Sequence, residues 1–224
     1  QSNLLSHNID PSNTINGKLV RYWKSTNGTT IEDFESYVAG NDNLQEQDPD
    51  HWTVKDHPNE NAHILVVSGG FDTQPFETQS LQIYDANNER KVQAWSSFDN
   101  RYAEATLSFD IIVDATSGSD FYFNVSTAQS VTIAQLFFDV GPSGFDITLD
   151  GTGVGGSTLN LNQIYNVEMT FTLTGISVSL DSTEEITNQA YQNGHHTIYG
   201  LGFERTIRSN AGYMLFDNIR IDTL

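Results

Sequence analysis

From about residue 62 onward the chain is a succession of short runs in which apolar and polar residues alternate, broken by Gly, Asn and Asp. Ala103, Ala105, Leu107 and Phe109 fall on one face of such a run, and Glu104, Thr106, Ser108 and Asp110 on the other. Phe121, Phe123 and Val125 alternate with Tyr122 and Asn124 in the same way. Successive side chains of a strand point to opposite faces, so each run lays one face on a core and leaves the other polar. We read strands at Ala62–Ser68, Gln79–Asp85, Lys91–Ser97, Ala103–Val113, Phe121–Ser126, Thr132–Val140, Phe145–Leu149, Tyr165–Thr172, Ser177–Leu180, His196–Glu204 and Tyr213–Ile221. A 3.6-residue period is nearly missing, and Ser182–Tyr191 is the one stretch read as a short helix or long loop. Many short strands divided by turn residues predict an all-β, two-sheet antiparallel β-sandwich, with Phe109, Phe123, Ile219 and Ile221 in its core.

A length of 224 residues suits one such domain. The 13 Phe, 9 Tyr and 3 Trp supply core volume where overall hydrophobic content is only 37%. Residues 1–30 are polar and read as an N-terminal arm packed on the domain, and residues 31–224 as the domain itself. Acidic residues outnumber basic ones 29 to 10, for a net charge of -19. That excludes nucleic acid, which needs a basic surface, and it disfavours a polyanionic ligand. It agrees with bound Ca2+, which takes oxygen ligands from Asp, Glu and Asn. With no cysteine there are no disulfides or thiolate metal sites, and no apolar stretch reaches the ~18 residues of a membrane span. A sequence starting at Gln1 suggests a processed secreted chain or a trimmed one. We expect a secreted or cell-surface protein of bacterial origin, acting as a monomer.

The last strand, Tyr213–Asp222, is apolar and β-branched yet carries Asp217 and Asn218 at its middle. A carboxylate buried there needs a partner, since an unpaired buried charge is very costly. A cation shared with the early acidic stretch Asp33-Phe34-Glu35-Ser36 would provide one. On the polar faces of the strands stand Gln82, Tyr84, Gln93, Trp95, Glu104, Tyr122, Asn124 and Gln135. Aromatic faces with a few placed amides and carboxylates are what a ligand groove needs, and these could line one concave sheet, with Trp95 its foremost stacking residue. His195 and His196 would point to opposite faces of a strand, so they do not make a zinc site together. The run Gly151–Gly156 lacks the strand-then-helix context of a phosphate loop and reads as a flexible hairpin loop.

In order along the chain come Asp33-Phe34-Glu35-Ser36, Trp52, Ser80-Leu81-Gln82-Ile83, Ala105–Asp110, Gln163–Glu168 and a final Phe216-Asp217-Asn218-Ile219-Arg220-Ile221. This order resembles the concanavalin A-like jelly rolls: laminin-G-type domains, carbohydrate-binding modules and several polysaccharide lyases. The resemblance covers roughly residues 30–222. It implies a jelly roll, a polysaccharide or oligosaccharide ligand, and a structural Ca2+ on Glu35 and Asp217. The polar strand faces read above offer Trp95, Tyr84, Tyr122, Gln82, Glu104, Asn124 and Gln135, together with His196, for binding that glycan.

The alternative is a lyase on an acidic glycan. It would need a base, Tyr122 or His196, and a group that stabilises the developing negative charge, from Arg101, Arg205, Asn124 or Gln135. The three strand motifs of alginate-lyase jelly rolls are missing, as is the E-x-D-x-x-E-like strand of the hydrolases of this fold. An adhesion module at a cell surface is the third reading.

Overall fold

In the computed structural model, described residues are 14–15, 18–19, 24–26, 29–32, 34, 36–40, 44–55, 62–68, 79–85, 92–115, 119–128, 131–191, 194–205 and 212–224. Two antiparallel sheets face each other across a continuous apolar core. The seven-stranded sheet runs, in spatial order, β13 (Thr152–Leu159), β12 (Gly144–Leu149), β11 (Val131–Gly141), β10 (Ser119–Ala128), β17 (Ile198–Arg205), β8 (Val92–Tyr102) and β5 (Trp52–Lys55).

Among the described residues the other sheet has nine strands. It begins with β16 (Thr183–Gln189), β15 (Ile176–Leu180), β14 (Tyr165–Phe171) and β9 (Ala105–Ala115), and reaches β18 (Gly212–Thr223). β18 pairs with β9 along nearly its whole length. Its other edge is divided. Residues 212–216 pair with β7 (Gln79–Asp85), which pairs in turn with β6 (Ala62–Ser68). Residues 219–221 pair with β4 (Thr29–Glu32), which pairs with β3 (Lys24–Thr26). The final strand is therefore central in its sheet. The short β1 (Thr14–Ile15) and β2 (Lys18–Leu19) pair with each other.

The alternation seen in the sequence is what builds the core. Phe109 of β9, Phe123 of β10, Phe203 of β17 and Phe216 of β18 are all fully buried. Their rings meet between the sheets, with centroids 4.3 Å apart for Phe109 and Phe123 and 4.9 Å for Phe203 and Phe216. Offset and edge-on contacts of this kind add to the burial of the rings themselves. Ile219 and Ile221 are buried as expected.

Two stretches differ from their sequence reading. Ser182–Tyr191, read as a short helix or long loop, holds the edge strand β16, with only Ile186 buried between Thr183 and Asn188. It is made by a tight turn in which Asp181 and Ser182 take φ of 47° and 66°. Two successive left-handed residues match the twist of a two-residue hairpin. The glycine run after Asp150 is likewise strand: Asp150 and Gly151 make the turn, at φ 48° and 88°, and β13 begins at Thr152.

Candidate functional site

The outward face of the seven-stranded sheet is assembled in cross-strand rows. One row runs Thr53, Trp95, Gly202, Asn124 and Gln135 across β5, β8, β17, β10 and β11. The next runs Lys55, Gln93, Glu204, Tyr122, Phe137 and Thr148. Trp95 is half-buried because its indole lies across Gly202. A Cβ at residue 202 would stand 2.4 Å from Cζ3 and 2.5 Å from Cε3 of that ring. Glycine is thus required there, since any side chain would push the indole off the sheet. Beside it, Gln135 Nε2 donates to Asn124 Oδ1 at 2.7 Å, and Gln93 Nε2 donates to Glu204 Oε2 at 2.7 Å. Tyr122 and Phe137 stack with centroids 4.9 Å apart and planes 28° off parallel, both half-buried. The face carries two aromatic platforms and the half-buried amides of Gln93 and Gln135, with Asn124 buried beneath them at 2% exposure.

One edge of this face is walled by the segment leading into β5, which the sequence reading did not single out. The single-turn helix α1 (Leu44–Gln47) is tied down by side-chain amides. Val54 N donates to Gln45 Oε1 at 2.8 Å, and Gln47 bonds both backbone groups of Val38 at 2.7 and 2.9 Å. Beneath it, Trp52 Nε1 donates to Tyr37 Oη at 2.9 Å. Two carboxylates face that phenol, Glu32 at 3.3 Å and Asp48 at 3.5 Å. Asp48 also faces His51 Nδ1, with both carboxylate oxygens at 3.0 Å. Carboxylate oxygens only accept, so the proton of a neutral His51 sits on Nδ1 and Nε2 is its acceptor nitrogen. Between this wall and Trp95 lies an open cavity of about 90 Å3, lined among others by Asp50, His51, Thr53, Ser97 and Ser126. The signal in the sequence was Asp48 three residues before His51, next to Trp52; nothing local linked it to Trp95, some forty residues on.

The structure distributes the other expected site residues. Gln82 and Tyr84 lie on β7, on the outward face of the opposite sheet. There His63 Nε2 sits 3.2 Å from Gln82 Oε1, and its ring 4.9 Å from that of Tyr84. They do not share a groove with Trp95. Glu104 is exposed in the turn between β8 and β9. Arg101, near the end of β8, is exposed with its guanidinium 5.0 Å from the ring centroid of Tyr199. His195 and His196 precede β17 and are not in a strand, and the His196 ring lies 6.4 Å from that of Tyr191. Arg205 is fully buried 5.7 Å from the Phe121 ring centroid, so it does not reach a ligand on the outward face. Asn124, Gln135 and Tyr122 do share one face, but Arg101 and His196 are not brought into contact with them.

Burial pushes the Tyr191 phenol from 10.0 up to about 12, against the Thr172 carbonyl that accepts its proton at 2.5 Å; the nearby Glu104 charge adds to the rise. A phenol whose pKa is raised by folding stabilises the fold below pH 10 and loses that contribution as pH climbs toward 12. We expect unfolding midpoints to fall across that window, and the fall to be smaller in Tyr191→Phe; equal slopes for both proteins would contradict this.

Of the two expected metal ligands, Glu35 lies outside the described residues. Asp217 is buried, 1% exposed, where β18 passes from pairing with β7 to pairing with β4. Its Oδ1 accepts from Asn218 N at 2.7 Å. Asn218 takes φ 52°, and a register shift against β9 follows Asp217. Among the described residues no three His, Asp or Glu side chains are grouped to hold a metal.

No protein-family model matches the sequence, and no curated protein matches it. Solved structures do. A protein described as "Sialidase" superposes with a TM-score of 0.65 over 88% of this chain at 11% identity, and this chain spans only 18% of its length. A "Cellulose induced protein, Cip1" matches 87% of this chain and 97% of its own, with a TM-score of 0.54 and 14% identity. A Bacteroides ovatus mixed-linkage glucan GH16 protein in complex with its product matches 79% and 96%, at 0.52 and 11%. Together with the two-sheet topology, these likenesses show the fold to be a concanavalin A-like jelly roll.

Proposed function

We propose that this domain binds a neutral polysaccharide along the outward face of the seven-stranded sheet, with Trp95 as the stacking platform. The observation that carries this is the Trp95 indole laid across Gly202, in one row with the hydrogen-bonded Asn124–Gln135 amide pair. A flat apolar face beside planar polar groups suits a sugar ring, whose faces are apolar and whose rim carries hydroxyls. The descriptions of the structural neighbours, a sialidase and a glucan-bound GH16 protein, support the class of ligand. Charge supports its neutrality. Beyond Trp95 the face carries Glu204, Asp139 and Asp146, with Lys55 at its edge, and the chain as a whole is at -19. Such a field slows encounter with a polyanion. A glycan of this kind is met outside the cell, so we place the domain there.

The test is a panel of neutral and acidic polysaccharides assayed for both retention and new ultraviolet absorbance. Retention of a neutral chain, unchanged by added salt and without new absorbance, is the expected result. Absorbance from unsaturated sugar ends would instead make the same face the active site of a lyase, and retention of acidic chains alone would overturn neutrality.

We also propose that Asp217, with Glu35, holds a structural Ca2+ linking the first and last parts of the nine-stranded sheet. The support is the burial of a carboxylate at the junction of β7 and β4 on β18, and the acidic balance of the chain. Bound Ca2+ would neutralise that carboxylate. A ligand held only by the native state at a hundredfold excess over its dissociation constant stabilises by about 2.7 kcal/mol. Chelator is therefore expected to lower the melting temperature and Ca2+ to restore it, with Asp217→Asn insensitive to both. No effect of chelator on the wild type would remove the site.

A further inference from the structure

We infer that the cavity beside Trp95 receives the exocyclic hydroxymethyl group of the stacked sugar, so that the domain selects neutral hexose chains over pentose chains. This rests on the glycan-binding reading of the Trp95 face and adds to it the class of sugar.

Size is the first argument. The cavity measures about 90 Å3. A water's share of liquid volume is about 30 Å3, and a cavity of about 150 Å3 takes a benzene ring. The space is ample for a two-atom arm hanging from a ring on Trp95.

Chemistry is the second. Ser97, Ser126 and Asp50 line the cavity. Ser126 Oγ donates to the Gly200 carbonyl at 3.2 Å, which leaves its oxygen to serve as an acceptor. His51 is held by Asp48, both carboxylate oxygens lying 3.0 Å from Nδ1, and adds a polar ring to the lining. A primary hydroxyl, which donates one hydrogen bond and accepts others, matches such a lining.

Charge is the third. Among the described residues no lysine or arginine lines the cavity, while Asp50 does and Asp48 lies just behind His51. A uronate carboxylate or a sulfate ester at the same position would meet negative charge.

The experiment measures affinity for soluble neutral hexans (β-1,4-glucan, β-1,3-glucan, β-1,4-mannan, β-1,4-galactan) and pentans (β-1,4-xylan, α-1,5-arabinan). It uses the wild type, Ser97→Leu, which fills the cavity, and Trp95→Ala. We expect the best hexan to bind at least about tenfold tighter than either pentan, the scale at which a pocket reads a group of this size. Ser97→Leu should cut hexan binding by a similar factor, with pentan binding and melting temperature unchanged. Thr53→Leu, at an exposed position on the cavity's rim, serves the same purpose should Ser97→Leu not fold. Pentans bound as tightly as the best hexan, or hexan affinity indifferent to both fillings, overturn the inference. If Trp95→Ala still abolishes that binding, the glycan-binding reading survives without it. Binding of none of these chains overturns both.

Discussion

Trp95→Ala is expected to weaken polysaccharide binding by at least about thirtyfold, the ~2 kcal/mol typical of a central aromatic anchor. The melting temperature should move by no more than about 4 °C, the equivalent of ~1 kcal/mol or so for a domain of this size. The two readouts separate because the indole lies on the outward face of the sheet and not between the sheets. Gly202→Ala is the companion variant. It removes no group, yet its Cβ would stand 2.4 Å from Trp95 Cζ3, so the platform must lift from the sheet. We expect Gly202→Ala to lose most of the binding as well. Affinity electrophoresis or calorimetry checks both, and near-native binding by both variants would remove Trp95 from the site.

The second large effect is on stability. Phe216→Ala empties the centre of the sandwich, where that fully buried ring meets Phe203 at 4.9 Å and Phe109 and Phe123 at 5.9 Å each. Truncating a packed core Phe costs about 3–5 kcal/mol, against a total of ~5–15 kcal/mol for a typical domain. The melting temperature should drop by roughly 6–20 °C. Because β18 pairs with β9, β7 and β4, the loss should show as one cooperative transition at lower temperature. A drop of under ~3 °C would mean that the ring is not central to the core.

The strands were legible because their faces alternate. Ala105, Leu107 and Phe109 pointing in, with Thr106, Ser108 and Asp110 half-buried on the other side, is a local pattern that needs no tertiary knowledge. Thr183–Gln189 was not legible, because an edge strand with one buried residue has little alternation to show. Its turn, made by Asp181 and Ser182, lacks the Asn-Gly or Asp-Gly signature of such hairpins.

Alternation also assigns a side chain to a face of its own strand and says nothing about which sheet that strand joins. That is why Tyr84 and Gln82 grouped with Trp95 in the sequence but lie on the opposite sheet. The row through Trp95, Gly202, Asn124 and Gln135 depends on strand order β8, β17, β10, β11, which joins residues over a hundred positions apart. The His51–Asp48 pair was local, but its place beside Trp95 follows from β5 pairing with β8. Arg205, named from the sequence as a group that could stabilise developing negative charge, falls on the inward side of β17 and is buried against Phe121.

The most direct test of the central claim is to map which backbone amides are protected from exchange when a retained neutral oligosaccharide is added. The account predicts protection and shift changes on the outward rows of the seven-stranded sheet, at Thr53, Trp95, Gly202, Asn124 and Gln135, and none around Gln82 and Tyr84. Changes centred on β6 and β7 with the Trp95 row untouched would contradict it.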